Sequence, residues 1–298
     1  MSLQPSLPTP LQPLHLLPEV DLWMKRDDLI DAVVSGNKWR KLAGYIDAIA
    51  APSHIVSYGG AHSNHLAAAA KVLSDCQHRA TFIVRGDELN SRSSAVLRYC
   101  TGLGVKLIFI TRSEFRQLRE HDWQPNRLQR QQWQLPDSVQ ILPEGGSGPH
   151  NRLGCAELWQ ELLVQGQPDQ LWLAAGTGGT ARGLLAAMPM HCPTHVHIVS
   201  AVRGSHREAR HTQQLAQDKG ISCQWFDETT FGGFAKETHE LRQAQYAFTS
   251  ATNIPLDPVY NAKVWWHLRD MANSGHLGSG RIVWLHTGGF DLRNSLQD

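Results

Sequence analysis

Short, continuous apolar runs rich in β-branched residues recur along the chain, at 53–58 (SHIVSY), 80–84 (ATFIV), 105–110 (VKLIFI), 139–142 (VQIL), 171–175 (LWLAA), 196–201 (VHIVSA) and 281–285 (RIVWL). Between them lie segments of helical composition, at 64–74, 91–103, 152–166, 180–188, 206–219 and 236–252. Strand-length runs alternating with helices predict an α/β architecture built on largely parallel sheets. Strands that are apolar at every position suit sheets covered on both faces. One stretch breaks the alternation: 112–138, rich in Gln, Arg and Trp, predicts a polar helix and a solvated connection. The pattern restarts at 141–148 (ILPEGGSG), which marks a return from one subdomain to another.

Composition narrows the function classes. The 298 residues are 41% hydrophobic and 18% charged, with a formal net charge of +1. No basic or acidic block is present, so neither nucleic acid nor a membrane surface is an expected partner. Cys76, Cys100, Cys155, Cys192 and Cys223 are scattered and odd in number, with no CxxC pair. That pattern fits a reducing compartment better than a disulfide framework or a thiolate metal site. The first residues lack a basic start and a continuous apolar core, and no run approaches the roughly 20 apolar residues that span a bilayer. The expectation is a soluble, cytoplasmic protein.

Three motifs carry candidate chemistry. The first is 35–41, SGNKWRK, preceded by the charged run 25–28, KRDD. A lysine that forms Schiff bases must be neutral, and desolvation or neighbouring cations such as Arg40 and Lys41 lower its pKa. Lys38 therefore reads either as a reactive lysine or as part of a solvated basic helix turn. The second is 57–65, SYGGAHSNH: a strand, a glycine turn and a helix opening at Ser63. Free backbone N–H groups at such a terminus bind a carboxylate or phosphate, unless Ser63 serves only as the helix cap. His62 and His65 have no third ligand nearby in sequence, so no metal is expected. The third is 174–184, AAGTGGTARGL, in which Gly176, Thr177, Gly178, Gly179 and Thr180 form a loop suited to cradling a phosphate. It also fits G-x-G-x-x-A, but the acidic residue that a dinucleotide site wants after the next strand is missing; Arg203 stands there and leaves an NADP reading open. Tyr260, in LDPVY, and Thr287, in HTGG, sit at C-terminal turns.

In this order, GNKxRK, GGxxSNH, PEGGS, GTGGT, LDPVY and HTGG resemble the D-cysteine desulfhydrase and 1-aminocyclopropane-1-carboxylate (ACC) deaminase family of pyridoxal-phosphate (PLP) enzymes. The match runs from Lys25 to Gly289. The resemblance implies the type II PLP fold, with two open twisted α/β domains and the cofactor in the cleft between them. A small domain of about 46–142 would be inserted into a large one formed by 1–45 and 143–298. It also implies a homodimer and a small amino acid as substrate.

By the same resemblance Lys38 holds pyridoxal 5'-phosphate, and Lys41, the 176–180 loop and Thr287 bind the cofactor. Asn64 would meet its phenolic oxygen. Ser63, His65, Ser147, Phe234 and Tyr260 would line the substrate, with Lys38, Ser63 and Tyr260 catalytic. The implied reaction is β-elimination, giving a 2-oxo acid, ammonia and, from D-cysteine, sulfide. The alternatives are ACC ring opening, an NADP-dependent oxidoreductase, and a degenerate relative that binds without turnover. Three departures bear on these. Phe234 stands where the family has tyrosine, and phenylalanine neither ionises nor donates a hydrogen bond. Asn261 stands where ACC deaminases carry glutamate, which disfavours ring opening. Asp291 and Leu292 replace a small apolar turn.

Overall fold

The computed structural model describes residues 5–49, 52–146 and 150–289. Two sheets organise them. The larger has the order β1-β2-β10-β7-β8-β9, formed by Leu11–Pro13, Leu22–Lys25, Ile282–Leu285, Gln170–Ala175, His195–Ser200 and Cys223–Phe226. The smaller has the order β5-β4-β3-β6, formed by Lys106–Ile110, Arg79–Arg85, His54–Gly60 and Gln140–Leu142. Only the β1–β2 pair is antiparallel. The chain starts in the larger sheet, builds the smaller one between 54 and 142, and returns.

All seven strands expected from apolar runs are present. Of the three missed, β1 and β9 are sheet edges whose half-exposed residues break up the apolar pattern, while β2, next to an edge, is a short buried run that ends on the charged Lys25. The polar stretch after β5 forms two short helices, α4 (Arg112–Glu120) and α5 (Arg127–Gln132), each opened by a capping box. On β8, His195 and His197 share a face and stack at 4.2 Å; His197 continues onto Trp172, also at 4.2 Å.

Parallel strands bury both faces, so helices cover each sheet. The alanine-rich α2 (Asn64–Asp75) and α3 (Ala95–Gly102) pack on one face of the smaller sheet, α2 burying Leu66, Val72 and Leu73 completely or nearly so. The larger sheet is covered on one side by α6 (Asn151–Gly166) and α7 (Gly179–Ala187), and on the other by α9 (His239–Thr252) and α10 (Asn261–Asn273). Helix α8 (His206–Asp218) adds Ala216 to the α6–α7 side.

Helix α1 (Asn37–Ala48) was not legible as an amphipathic helix, because its buried face is charged: Arg40 and Lys41 are both buried. It crosses α6 at very short range. A Cβ on Gly154 of α6 would fall 1.9 Å from the Arg40 carbonyl oxygen, so only glycine permits this crossing. The charges at the crossing are matched in place. Arg40 donates to Asp27 at 3.0 and 3.1 Å and to Glu161 at 2.7 and 3.0 Å, and Lys25 donates to Glu161 at 2.6 Å.

Candidate active site

The sequence motifs gather at the carboxyl ends of strands, where open α/β sheets bind ligands. Residues 35–38 follow β2, 61–63 follow β3, 176–180 follow β7, and 286–289 follow β10.

Lys38 sits in the first turn of α1. Its loop is fused to the turn after β10: Asn37 N–H donates to Thr287 O at 3.1 Å, while Gly36 N–H donates to Asp27 O at 2.8 Å. Gly36 adopts φ +61°, and a Cβ there would lie 2.1 Å from the Thr287 carbonyl oxygen. Lys38 Nζ donates to Asn37 Oδ1 at 2.6 Å. Desolvation pushes its pKa down to about 8, against the opposing charge of Asp257. The expected help from Arg40 is not there: Arg40 turns away into Asp27 and Glu161, and burial alone lowers Lys38.

Lys41 lies one helical turn on and is buried, with Nζ 3.1 Å from the Gly145 carbonyl oxygen. Burial pushes its pKa down to about 7, assisted by the positive charges of Lys38 and Arg182. Among the described residues, neither Lys38 nor Lys41 has a carboxylate within ion-pair distance.

Ser63 occupies the N-cap position of α2, yet its hydroxyl makes no capping hydrogen bond. The cap-only reading of this serine therefore fails. Asn64 follows as the first helical residue and is half-buried. His65 is buried, with Nε2 2.9 Å from Ser57 Oγ. Ser57 already donates its only proton to the Leu142 carbonyl at 2.9 Å. His65 Nε2 must therefore carry the shared hydrogen, which leaves Nδ1 a bare acceptor without a partner. Burial, with Lys38 and Lys41 nearby, pushes its pKa down to about 3, so the ring is neutral.

The loop after β7 reaches α7 through Gly178, whose φ of +70° is left-handed. Thr180 is buried in the first turn of α7 and Thr177 is exposed. Arg182, one turn on, donates to Thr177 O at 2.9 Å and braces the loop. Tyr260 packs over the same loop: its hydroxyl and Cε1 would each lie 3.4 Å from a Cβ on Gly176. Burial, with Asp257 nearby, pushes the Tyr260 pKa up. Phe234 is 54% exposed and stands edge-on to Tyr260, with ring centroids 6.1 Å apart.

Sequence reading missed Asp257, which organises this corner. Its carboxylate accepts the backbone N–H groups of Val259, Tyr260 and Asn261 at 3.1, 2.6 and 3.0 Å. Asn261 donates its side-chain amide to Asp257 and to the Gly288 carbonyl, both at 2.7 Å. A carboxylate three residues before a tyrosine and four before a helix was a visible capping signal. Ser147, Asp291 and Leu292 lie outside the described residues.

Residues 3–288 match the family model described as pyridoxal-phosphate dependent enzyme. The chain belongs to this family. A Pyrococcus furiosus protein named "Putative 1-aminocyclopropane-1-carboxylate deaminase" is 26% identical over 93% of this chain and 89% of its own length. The mitochondrial bifunctional D-cysteine desulfhydrase/ACC deaminase of Arabidopsis thaliana is 27% identical over 95% of this chain and 76% of its own. The fold matches the crystal structure of an ACC deaminase homologue with a TM-score of 0.75, at 23% identity over 97% of this chain and 92% of that one. The two-sheet architecture is that of the type II PLP enzymes.

The residues present fit that cofactor. Lys41 supplies an amine that no carboxylate among the described residues pairs with, and the glycine loop at the α7 terminus supplies backbone N–H groups. Lys38 supplies an amine already lowered toward neutrality, as covalent attachment to an aldehyde requires. A nicotinamide site would use the glycine loop but gives no part to a buried amine such as Lys38.

Proposed function

We propose that this PLP-dependent enzyme is a lyase or deaminase of a small amino acid, closest in activity to D-cysteine desulfhydrase. The observation that carries the reading is the buried pair Lys38 and Lys41, one amine lowered to about 8 and the other to about 7, neither with a carboxylate in ion-pair distance among the described residues. Lys41, Gly176, Thr177, Gly178, Gly179, Thr180 and Thr287 would hold the cofactor, with Asn64 at its edge. The two sheets would form the two domains, 1–45 with 143–298 and 46–142, on either side of it. When bound, the cofactor provides an electron sink for the carbanion formed at the substrate's α-carbon.

The chain's own residues have assignable parts. Lys38, neutral above about pH 8, takes up and returns a proton at its Nζ. Ser63 offers a hydroxyl not spent on capping, and the first N–H groups of α2 lie beside it to bind the substrate carboxylate. His65, neutral and with a bare Nδ1, accepts a hydrogen bond and gives up no proton. Tyr260 closes the site over Gly176, and its raised pKa keeps the phenol protonated. With D-cysteine the net reaction consumes water and yields pyruvate, ammonia and sulfide.

ACC ring opening is the second reading. Asn261 weighs against it: both of its amide hydrogens are held by Asp257 and Gly288, and it cannot supply a carboxylate. No described helix is long and apolar enough to cross a membrane; a cytoplasmic homodimer completes the proposal.

The test is to incubate purified holoenzyme with D-cysteine and with ACC, following sulfide, ammonia and 2-oxo acid. Sulfide and pyruvate from D-cysteine are expected. Absence of turnover with either substrate, while the cofactor remains bound, would overturn the lyase reading and leave a binding protein.

A further inference from the structure

The ion pair between Lys263 and Glu228 lies outside every motif that assembles the cofactor site. Its side chains are 1% and 2% exposed, yet Nζ and Oε2 are 3.6 Å apart, too far for a direct hydrogen bond. Glu228 Oε2 has no hydrogen-bond partner. Both groups spend their hydrogen bonds on main chain. Lys263 Nζ donates to the Gly233 carbonyl at 2.9 Å and to Ala201 O at 3.5 Å. Glu228 Oε1 accepts the Phe231 N–H at 2.6 Å.

These bonds grip one loop at two points. The grips fall at Phe231 and Gly233, and from there on the backbone is irregular, with positive φ at Gly232, Gly233 and Ala235 (88°, 113° and 54°). Phe234 follows the second grip directly, exposed and edge-on to Tyr260. Lys263 itself sits one turn beyond Tyr260 on α10, so a single helix carries both the tyrosine and the ammonium that fixes the aromatic facing it.

A buried ion pair is a poor device for stability, since an apolar pair of equal volume often does as well. It is a good device for fixing a position, because each charge must keep its partners.

We propose that Lys263 and Glu228 are positioning residues that hold Phe234 against Tyr260, and that Phe234 makes this edge of the site select amino acids with an uncharged side-chain substituent, such as a thiol or alkylthiol. A carboxylate or phosphate placed there would lose hydration beside a ring that offers no donor. Lys263 spends its hydrogen bonds on the Gly233 and Ala201 carbonyls. The substrate half rests on the amino-acid reading of the site; the positioning half does not.

The experiment uses the holoenzyme and three variants, Phe234→Ala, Lys263→Met and the double variant. Hydrogen exchange at residues 231–235 reads loop position without any substrate. Binding of S-methyl-D-cysteine and D-aspartate is read from the change in the cofactor's absorbance band.

Lys263→Met is expected to speed exchange across the loop. It and Phe234→Ala should each weaken S-methyl-D-cysteine binding about tenfold, and the double variant should be no weaker than either, as expected for residues acting as one unit. Unchanged exchange, or effects that multiply in the double variant, would overturn the positioning role. Equal affinity of the unmutated enzyme for D-aspartate would overturn the selectivity. If Lys263→Met does not fold, the combined Lys263→Met and Glu228→Gln variant, which removes both charges, takes its place. If no amino acid binds at all, the proposed function falls, and the exchange data still decide the positioning claim.

Discussion

Gly36 and Thr287 touch through their backbones: a Cβ on Gly36 would fall 2.1 Å from the Thr287 carbonyl oxygen. That contact joins the loop before Lys38 to the turn after β10. It ties the loop that carries Lys38 to β10, inside the larger sheet. Gly36→Ala must break the contact and force a side chain into φ +61°. It is expected to cost about 3 kcal/mol or more. The denaturation midpoint should fall, and cofactor uptake should fall with it.

Lys38 is the expected site of covalent attachment. Borohydride reduction of the holoenzyme should trap the cofactor on the peptide that contains Lys38. Lys38→Ala should abolish the label while leaving the fold, because among the described residues its Nζ bonds only its neighbour Asn37. Label found on another peptide refutes the assignment.

The depressed pKa values of Lys38 and Lys41 predict a pH dependence. Their ordinary value is 10.5, and in the fold they lie at about 8 and about 7. Between the folded and unfolded values the unfolded chain binds more protons, so the stability of the cofactor-free protein rises as pH climbs from about 7 towards 10. Bound phosphate favours the charged lysines and should flatten that slope. Denaturant titrations at several pH values, with and without cofactor, check both statements.

Ser63→Ala separates a ligand contact from a helix cap. Loss of a capping hydroxyl costs about 1 kcal/mol. Since this hydroxyl does not cap α2, the apo stability should stay within ~0.5 kcal/mol of the unmutated protein. Amino-acid binding to the holoenzyme should weaken clearly.

Arg40→Ala leaves the fully buried Asp27 without its paired cation and takes one of two cations from Glu161, which keeps Lys25. Breaking such a pair is expected to cost about 3–5 kcal/mol. The same change at Arg112, whose partner Glu88 is exposed, should leave the thermal midpoint unmoved.

Much of the fold was legible because burial on both faces writes an apolar run for each central strand. Edge strands carry no such run: β1 and β9 are partly exposed at every position or nearly so. Helix α1 was illegible for the opposite reason, since it buries Arg40 and Lys41, and hydrophobic periodicity cannot mark a buried charge. The sequence by itself determined the glycine loops, the capped helix starts and the order of motifs that place the chain among PLP enzymes. Those features are local, set by φ, by missing side chains and by neighbours in sequence.

Only the tertiary structure decided which charges are matched. Arg40 and Lys41 are adjacent in sequence, yet the helix turns one into Asp27 and Glu161 and leaves the other beside Lys38 without a carboxylate. It decided likewise that Ser63 does not cap, and that Asn261 clamps Asp257 to Gly288. The physical reason is the same in each case. Desolvation and hydrogen-bond partners depend on groups brought from distant parts of the chain, and a side chain's chemistry is set by what it meets there.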